Sequence, residues 1–318
     1  MRIGLLTSGG DAPGMNAAIR SIVRTALYRG SEAIGVRGGY SGLFERDFVD
    51  LDIPSVGDII HRGGTILGTS RSEYFTTDEG RDVAFRVLDG YVDALIVIGG
   101  DGSMRGALEL ADRGLKVITI PGTIDNDIGY QEESIGFFTA VSTVTEAIGK
   151  IRDTSSAHNR ANVIEVMGRN CGDLALYAGV AGGAESIIIP EVPMDLDKVV
   201  AKVCHGRDRG KRHHIILVTE GRDAQSITET IEERTGVETR LTTLGYLQRG
   251  GDPDVRDRIN ATLLGKEAVE RLLQGEGQGG LALGIKGGLP LAMDLREALN
   301  VEKEFRRDLY DAMEMISF

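Results

Sequence analysis

Short runs of β-branched and other apolar residues recur along the chain at 2–7, 32–36, 94–98, 116–120, 162–167, 186–189, 214–219 and 238–244, each closed by glycine or a polar turn. Runs of this length read as strands buried on both faces of a parallel sheet. Between them the period changes. Met15, Ala18, Ile19, Ile22, Val23 and Ala26 recur at helical spacing before Gly30 supplies a stop. A second predicted helix is capped by Thr77 and Asp78 and turns Val83, Val87 and Leu88 inward; others cover about 103–113, 137–152, 172–181, 196–203 and 256–273, with a charged final helix over about 302–315. Strand and helix alternate throughout, the pattern of an α/β fold with doubly wound, Rossmann-like, largely parallel sheets. The length suits two domains, with a boundary near Gly136.

Composition narrows the chemistry. With 41% hydrophobic and 26% charged residues in 318, the chain is globular, and 36 basic against 48 acidic residues give a net charge of −12. Such a chain repels nucleic acid and anionic membranes unless its basic groups are gathered locally. No apolar run approaches the roughly 18 residues that span a bilayer. Cys171 and Cys204 form no disulfide framework and no zinc spacing, which fits a reducing cytoplasm. The histidines show no metal-ligand spacing; His61, His158 and His205 read as structural or exposed, and Cys171 as packing. Glycine is in excess, at 44 residues.

Much of that glycine follows strands. Ser8-Gly9-Gly10-Asp11-Ala12-Pro13-Gly14, Gly99-Gly100-Asp101-Gly102-Ser103 and Pro121-Gly122-Thr123-Ile124-Asp125-Asn126-Asp127 each close one predicted strand. Glycine lets backbone N–H groups approach an anion, and aspartates among them can hold a divalent cation or accept a hydroxyl proton. One such turn alone reads equally as a tight turn with an Asp cap; three together point to phosphate chemistry. There is no GxxxxGK[ST], and Gly100, Gly102 and Gly106 miss the dinucleotide spacing by one. Arg71, Arg160, Arg169, Arg240 and Arg249 stand near glycine turns or strand ends, where a guanidinium can grip phosphate; singly, each also reads as a surface ion pair.

These segments, taken in order, resemble the ATP-dependent 6-phosphofructokinases of the bacterial type: SGGDAPGMNAAIR (8–20), RGGT (62–65), VIGGDGS (97–103), PGTIDNDI (121–128), IGFFTA (135–140), IRDTSS (151–156), VIEVMGR (163–169), GDLAL (172–176), ETR (238–240) and LQRGG (247–251). The resemblance runs from Met1 to about Leu273. It implies the phosphofructokinase fold, with an ATP-binding domain over 1–137 plus about 252–300 and a sugar-phosphate domain over 138–251 plus about 301–318, and an active site in the cleft. It also implies transfer of the γ-phosphoryl of ATP to the 1-hydroxyl of fructose 6-phosphate, with Mg2+, in glycolysis.

Residue by residue, the resemblance gives Gly10, Tyr40, Arg71, Ser72, Gly100, Asp101, Gly102 and Ser103 to ATP, with Asp101 as the carboxylate linked to Mg2+. Asp125 becomes the base, and Thr123, Asp127 and Arg169 position or neutralise the phosphoryl group. Met167, Gly168, Arg169, Glu220 and Tyr246 fall to the sugar, and Arg160, Arg240 and Arg249 to its 6-phosphate. In the family the first two of those arginines reach in from a neighbouring subunit, which implies a homotetramer. Pyrophosphate-dependent relatives carry Asp and Lys where this chain has Gly102 and Gly122, so glycine at both reads as ATP.

Two departures matter. Tyr246 stands where the family usually has His, which leaves sugar preference open. Arg20, Arg24, Arg152, Glu185, Arg209, Lys211, Arg212 and His213 resemble part of an allosteric site for nucleotide or phosphoenolpyruvate, yet Ile53 or Pro54 replaces its usual arginine. The alternatives at this stage are a pyrophosphate-dependent or other-phosphosugar kinase of the same fold, and a non-catalytic subunit that binds nucleotide or phosphosugar.

Overall fold

The structure is a computed structural model that describes residues 1–317. In chain order its elements are β1 (Arg2–Ser8), α1 (Met15–Tyr28), β2 (Glu32–Val36), α2 (Tyr40–Glu45), β3 (Phe48–Leu51), α3 (Asp78–Leu88), β4 (Ala94–Gly99), α4 (Asp101–Asp112), β5 (Lys116–Pro121), α5 (Phe137–His158) and β6 (Arg160–Val166). Then come α6 (Asp173–Gly182), β7 (Ser186–Ile188), α7 (Leu196–Asp208), β8 (His213–Thr219), α8 (Ala224–Thr235), β9 (Thr239–Thr243), α9 (Val255–Leu273), β10 (Leu281–Lys286), β11 (Leu289–Asp294), α10 (Leu295–Ala298) and α11 (Arg307–Ile316). Two compact units share them. Met1–Ile124, Ile128–Thr139 and Arg249–Lys303 form the first; Asp125–Asp127, Ala140–Gln248 and the chain from Glu304 onward form the second.

The first unit is built on a seven-stranded sheet in the order β11-β10-β5-β4-β1-β2-β3. Its five inner strands are parallel, and β4 is buried along its whole length, as an apolar run between two helical layers requires. The two edges are antiparallel, which the sequence pattern did not predict. β3 is short and partly solvated, so it has no continuous apolar run to reveal it. The β10–β11 hairpin turns on Gly287 and Gly288, both with positive φ (58° and 76°), the backbone that a two-residue hairpin loop demands.

The second unit carries a four-stranded, all-parallel sheet in the order β7-β8-β6-β9. β9 is an edge strand and only half buried, which corrects the expectation of a fully buried strand at 238–244. The final helix starts at Arg307 rather than near 302. Arg306 stands at its N-cap and grips Asp308 through two nitrogens (2.9 and 2.8 Å), which fixes the entry to the helix.

Candidate active site

From β1 the chain moves to β2 on one side and later returns at β4 on the other, so β1 and β4 flank the point where the winding reverses. Ligands bind outside the carboxyl ends of strands at such a point. The turns that follow β1, β4 and β5 are joined there. Gly122 N–H donates to the Gly99 carbonyl (3.0 Å), and a β-carbon on Gly100 would lie 3.5 Å from Thr123. Thr69 Oγ1 donates to the Gly9 carbonyl and Thr7 Oγ1 to the Gly68 carbonyl (2.8 Å each), which ties the loop bearing Arg71 and Ser72 to the end of β1. Arg71 is exposed and Ser72 half buried.

Asp101 is the first residue of α4, where the helix dipole favours a carboxylate. It pairs with Arg105 one turn on (Nε to Oδ2, 2.9 Å), both side chains being about half exposed. Beside it a β-carbon on Gly102 would meet nothing within 4 Å among the described residues, whereas one on Gly122 would lie 3.1 Å from Ile98 and 3.3 Å from Met15. Ser103 is buried behind the turn, and Tyr40 lies behind Ser103, donating its hydroxyl to the Ser103 carbonyl (2.7 Å) and stacking on Phe75 at 4.0 Å. Burial raises the Tyr40 phenol far above its ordinary range, so it is a neutral support for the turn.

In the second unit, Asp125 is 4% exposed and its Oδ2 lies 3.6 Å from Arg169 Nε. Asn126 and Arg169 both hold a left-handed backbone (φ 52° each), which is uncommon for residues other than glycine and clusters where geometry is constrained by function. Gly168, directly before Arg169, holds φ 135°, and a β-carbon there would strike the Cys171 carbonyl. Glu220, at the end of β8, accepts from Arg169 N–H (3.3 Å) and donates its own N–H to the Val166 carbonyl (2.7 Å). Met167 is buried and donates its N–H to Gln248 Oε1 (3.0 Å). Asp127 is half buried, and Tyr246 is 82% exposed.

Residues 2–272 match the phosphofructokinase family model. The chain belongs to the phosphofructokinase family. It is 52% identical to the ATP-dependent 6-phosphofructokinases of Alkaliphilus metalliredigens and Clostridioides difficile over 317 residues, 99% of this chain and of each relative. The phosphofructokinase structure from Saccharomyces cerevisiae superposes with a TM-score of 0.90 at 32% identity, covering 98% of this chain and 50% of that one. A pyrophosphate-dependent phosphofructokinase from Marinobacter aquaeolei shares the fold (TM-score 0.82, 23% identity, 96% of this chain and 86% of that one). The phosphofructokinase fold read from the sequence is therefore the fold observed.

Not every residue that the family resemblance grouped is brought together. Arg160 opens β6, and Met167–Arg169 follow its other end, about 20 Å away at 3.3 Å per residue. Arg160 and Arg240 instead converge on Glu238 (Arg160 Nε to Oε2, 2.7 Å), whose carboxyl they hold below its ordinary range, Arg160 the more strongly. Arg249 belongs to the first unit, its guanidinium lying against Gly10. Of the residues likened to an effector site, Lys211 pairs with the buried Glu185 (2.5 Å), His213 Nε2 lies 3.8 Å from the same carboxylate, and Arg152 donates to the carbonyls of Gly182 and Gly183. Arg209 joins Glu185 and Lys211 around a cavity of about 150 Å³; Arg212 is exposed. Arg20 and Arg24 lie on α1 of the first unit, half buried and exposed.

Three supporting residues escaped the sequence reading. Gln248 is wholly buried and spans Met167 N–H and the Gly245 carbonyl (3.0 Å each), fixing the turn that ends in Arg249. Asp173 accepts from Asn126 Nδ2 (2.9 Å). Asp257, buried on α9, accepts from the N–H groups of Gly136 (2.9 Å) and Thr139 (2.8 Å) and from the Thr139 hydroxyl (2.5 Å) at the start of α5. The first two sit inside the motifs LQRGG and GDLAL, but one sequence does not reveal which polar member of a motif is turned inward.

Proposed function

We propose that this chain transfers the γ-phosphoryl group of ATP to the 1-hydroxyl of fructose 6-phosphate, giving fructose 1,6-bisphosphate and ADP, the phosphofructokinase step of glycolysis. The observation that carries this reading is the Asp125 carboxylate, buried and 3.6 Å from the Arg169 guanidinium. A carboxylate in that setting serves as general base: it takes the hydroxyl proton as the sugar oxygen bonds to phosphorus and the bond to the ADP oxygen breaks. Arg169 neutralises the phosphoryl oxygens, and Thr123 and Asp127 align the group in flight. Phosphoryl transfer asks little more of a protein than alignment and charge.

ATP is the donor, held by the Gly10 and Gly100–Ser103 turns with Arg71 and Ser72; full-length relatives at 52% identity are named ATP-dependent. Among the described residues nothing lies within 4 Å of where a β-carbon on Gly102 would be, which leaves room for the nucleotide. Mg2+ fits the residues present: it is commonly held through one carboxylate with substrate phosphates and water, and Asp101 offers that carboxylate at a helix N-terminus. Held there, the ion would offset the negative charge of the phosphate groups.

The first unit serves ATP and contributes Arg249 to the sugar phosphate, whose other contacts come from the second unit. Glu220, Met167, Gly168 and Tyr246 contact the sugar, and Arg249 its 6-phosphate. Arg160 and Arg240, remote from Arg169 in their own chain, complete the 6-phosphate clamp of a neighbouring copy in a cytoplasmic homotetramer. The Glu185 cluster, with Arg20 and Arg24, serves an allosteric effector. No helix among the described residues is long and apolar enough to cross a membrane.

The test is product analysis by phosphorus NMR with Mg2+, fructose 6-phosphate and either ATP or pyrophosphate as donor. Fructose 1,6-bisphosphate and ADP from ATP, absent without the sugar, is the expected result. Product from pyrophosphate alone, or none from either donor, would overturn the reading.

A further inference from the structure

The backbone beneath Asp125 is strained, and a buried hydrogen bond helps to hold it. Asn126 adopts φ 52°, a conformation that Asn tolerates better than most L-residues but that still needs support from its surroundings. That support is specific. Asn126 is 1% exposed, and its side-chain amide donates to Asp173 Oδ2 at 2.9 Å. Asp173 is 2% exposed and is the first residue of α6, where the helix dipole favours its negative charge. The pair is buried on both sides, and Asp125–Asp127 cluster with the second unit although the chain on either side belongs to the first.

We infer that Asp173 is a positioning residue for phosphoryl transfer: through Asn126 it locks the left-handed turn that aims the Asp125 carboxylate. The inference rests on Asp125 being the base. Asp173 itself touches neither substrate nor reacting atoms; it ties the turn bearing the base to a helix. Small misplacement of a reacting group costs rate far more than affinity, up to about 100-fold per ångström. Loss of Asp173 should therefore appear in kcat, not in KM.

The test compares Asp173→Ala, Asp173→Asn, Asn126→Gly, the double variant Asp173→Ala with Asn126→Gly, and Asp125→Asn, each in the full-length protein. Steady-state kinetics and melting temperature are measured for all. Asp173→Ala should lower kcat about 10- to 100-fold, with both KM values within about twofold. Asp173→Asn keeps an acceptor for Asn126 and should recover most of kcat. Asn126→Gly permits the turn but severs the link, so it should lower kcat alone, and adding Asp173→Ala should change kcat no further.

A purely structural role predicts otherwise. Asp173→Ala and Asp173→Asn would then lower the melting temperature while leaving kcat near wild type, and that result overturns the inference. So does wild-type kcat in Asn126→Gly, a comparison that stands even if Asp173→Ala does not fold. Unchanged kcat in Asp125→Asn would reject the base itself, an outcome read separately from the behaviour of Asp173.

Discussion

The guanidinium of Arg249 occupies the space where a β-carbon on Gly10 would project. A residue likened to the sugar-phosphate clamp and a residue of the first nucleotide turn thus share one patch of the first unit. Any side chain at position 10 displaces the tip of Arg249, which is long and flexible, so the fold tolerates the change while the grip on phosphate does not. Gly10→Ala should raise the KM for fructose 6-phosphate about tenfold, the cost of one weakened charge-assisted contact, with an unaltered melting temperature. Steady-state kinetics and calorimetry check both halves; an unchanged KM would separate Arg249 from substrate binding.

The open space around Gly102 makes the donor testable. Gly102→Asp places a carboxylate in the first turn of α4, a favourable place for stability and an unfavourable one for a triphosphate. The KM for ATP should rise tenfold or more, as loss of about 1.4 kcal/mol implies, while thermal unfolding is unchanged or slightly later. Nucleotide titration followed by ADP release measures this directly.

The separation of Arg160 from Arg169 along β6 makes a further requirement. If Arg160 serves a neighbouring copy, a mixed oligomer of Arg160→Ser and Asp125→Ser chains contains sites with an intact base from the first chain and an intact clamp from the second. Dissociating and reassembling the two inactive proteins together should regain a substantial fraction of wild-type activity, where either alone has little. Absence of regained activity in oligomers shown to be mixed would place Arg160 outside a shared site.

Two buried groups set opposing responses to pH. Burial pushes the Asp257 carboxyl up to about 6, against the hydrogen bonds from Thr139 and Gly136 that favour its charged form. The folded state therefore binds a proton that the unfolded chain has lost, and stability falls as pH rises from about 4 to 6. His214 behaves inversely: burial lowers its imidazole to about 4, and neither ring nitrogen has a hydrogen-bond partner among the described residues. Stability from His214 is present above about 6.5 and is lost as pH falls toward 4. Chemical denaturation across pH 4–7 should show a steeper rise in stability with pH for Asp257→Asn than for wild type, and a shallower rise or a fall for His214→Leu. Asp257→Asn should also lose about 1–3 kcal/mol near neutrality, because its amide leaves a buried donor of Gly136 or Thr139 unmatched.

What the chain revealed by itself was what repeats or what carries a dense motif. The buried strands β1, β4 and β5 are uninterrupted apolar runs, and α1 declares itself by its period. Edge strands do not: β3 is half solvated, and the β10–β11 hairpin shows in the sequence only as Gly287-Gly288 between short apolar runs. The turns bearing Gly10, Asp101 and Asp125 were legible because glycine and aspartate at strand ends have a direct chemical meaning. Asp173, Gln248 and Asp257 were not, because their role lies in facing inward toward backbone or amide partners, and orientation is set by tertiary packing rather than by neighbouring sequence. The clamp is legible only in part from one chain: Arg240 and Arg160 gather on Glu238, far along β6 from Arg169, as expected of residues that the resemblance assigns to a neighbouring subunit's site.

The proposed base for the sugar hydroxyl proton is Asp125, buried beside Arg169. Steady-state ADP production with Mg2+-ATP and fructose 6-phosphate, measured for wild type and Asp125→Asn side by side, tests it most directly. Wild type should turn over in a fructose 6-phosphate-dependent way, and the variant should have a kcat lower by about 100- to 10,000-fold with little change in KM for the sugar. A variant that turns over within a few-fold of wild type would contradict it.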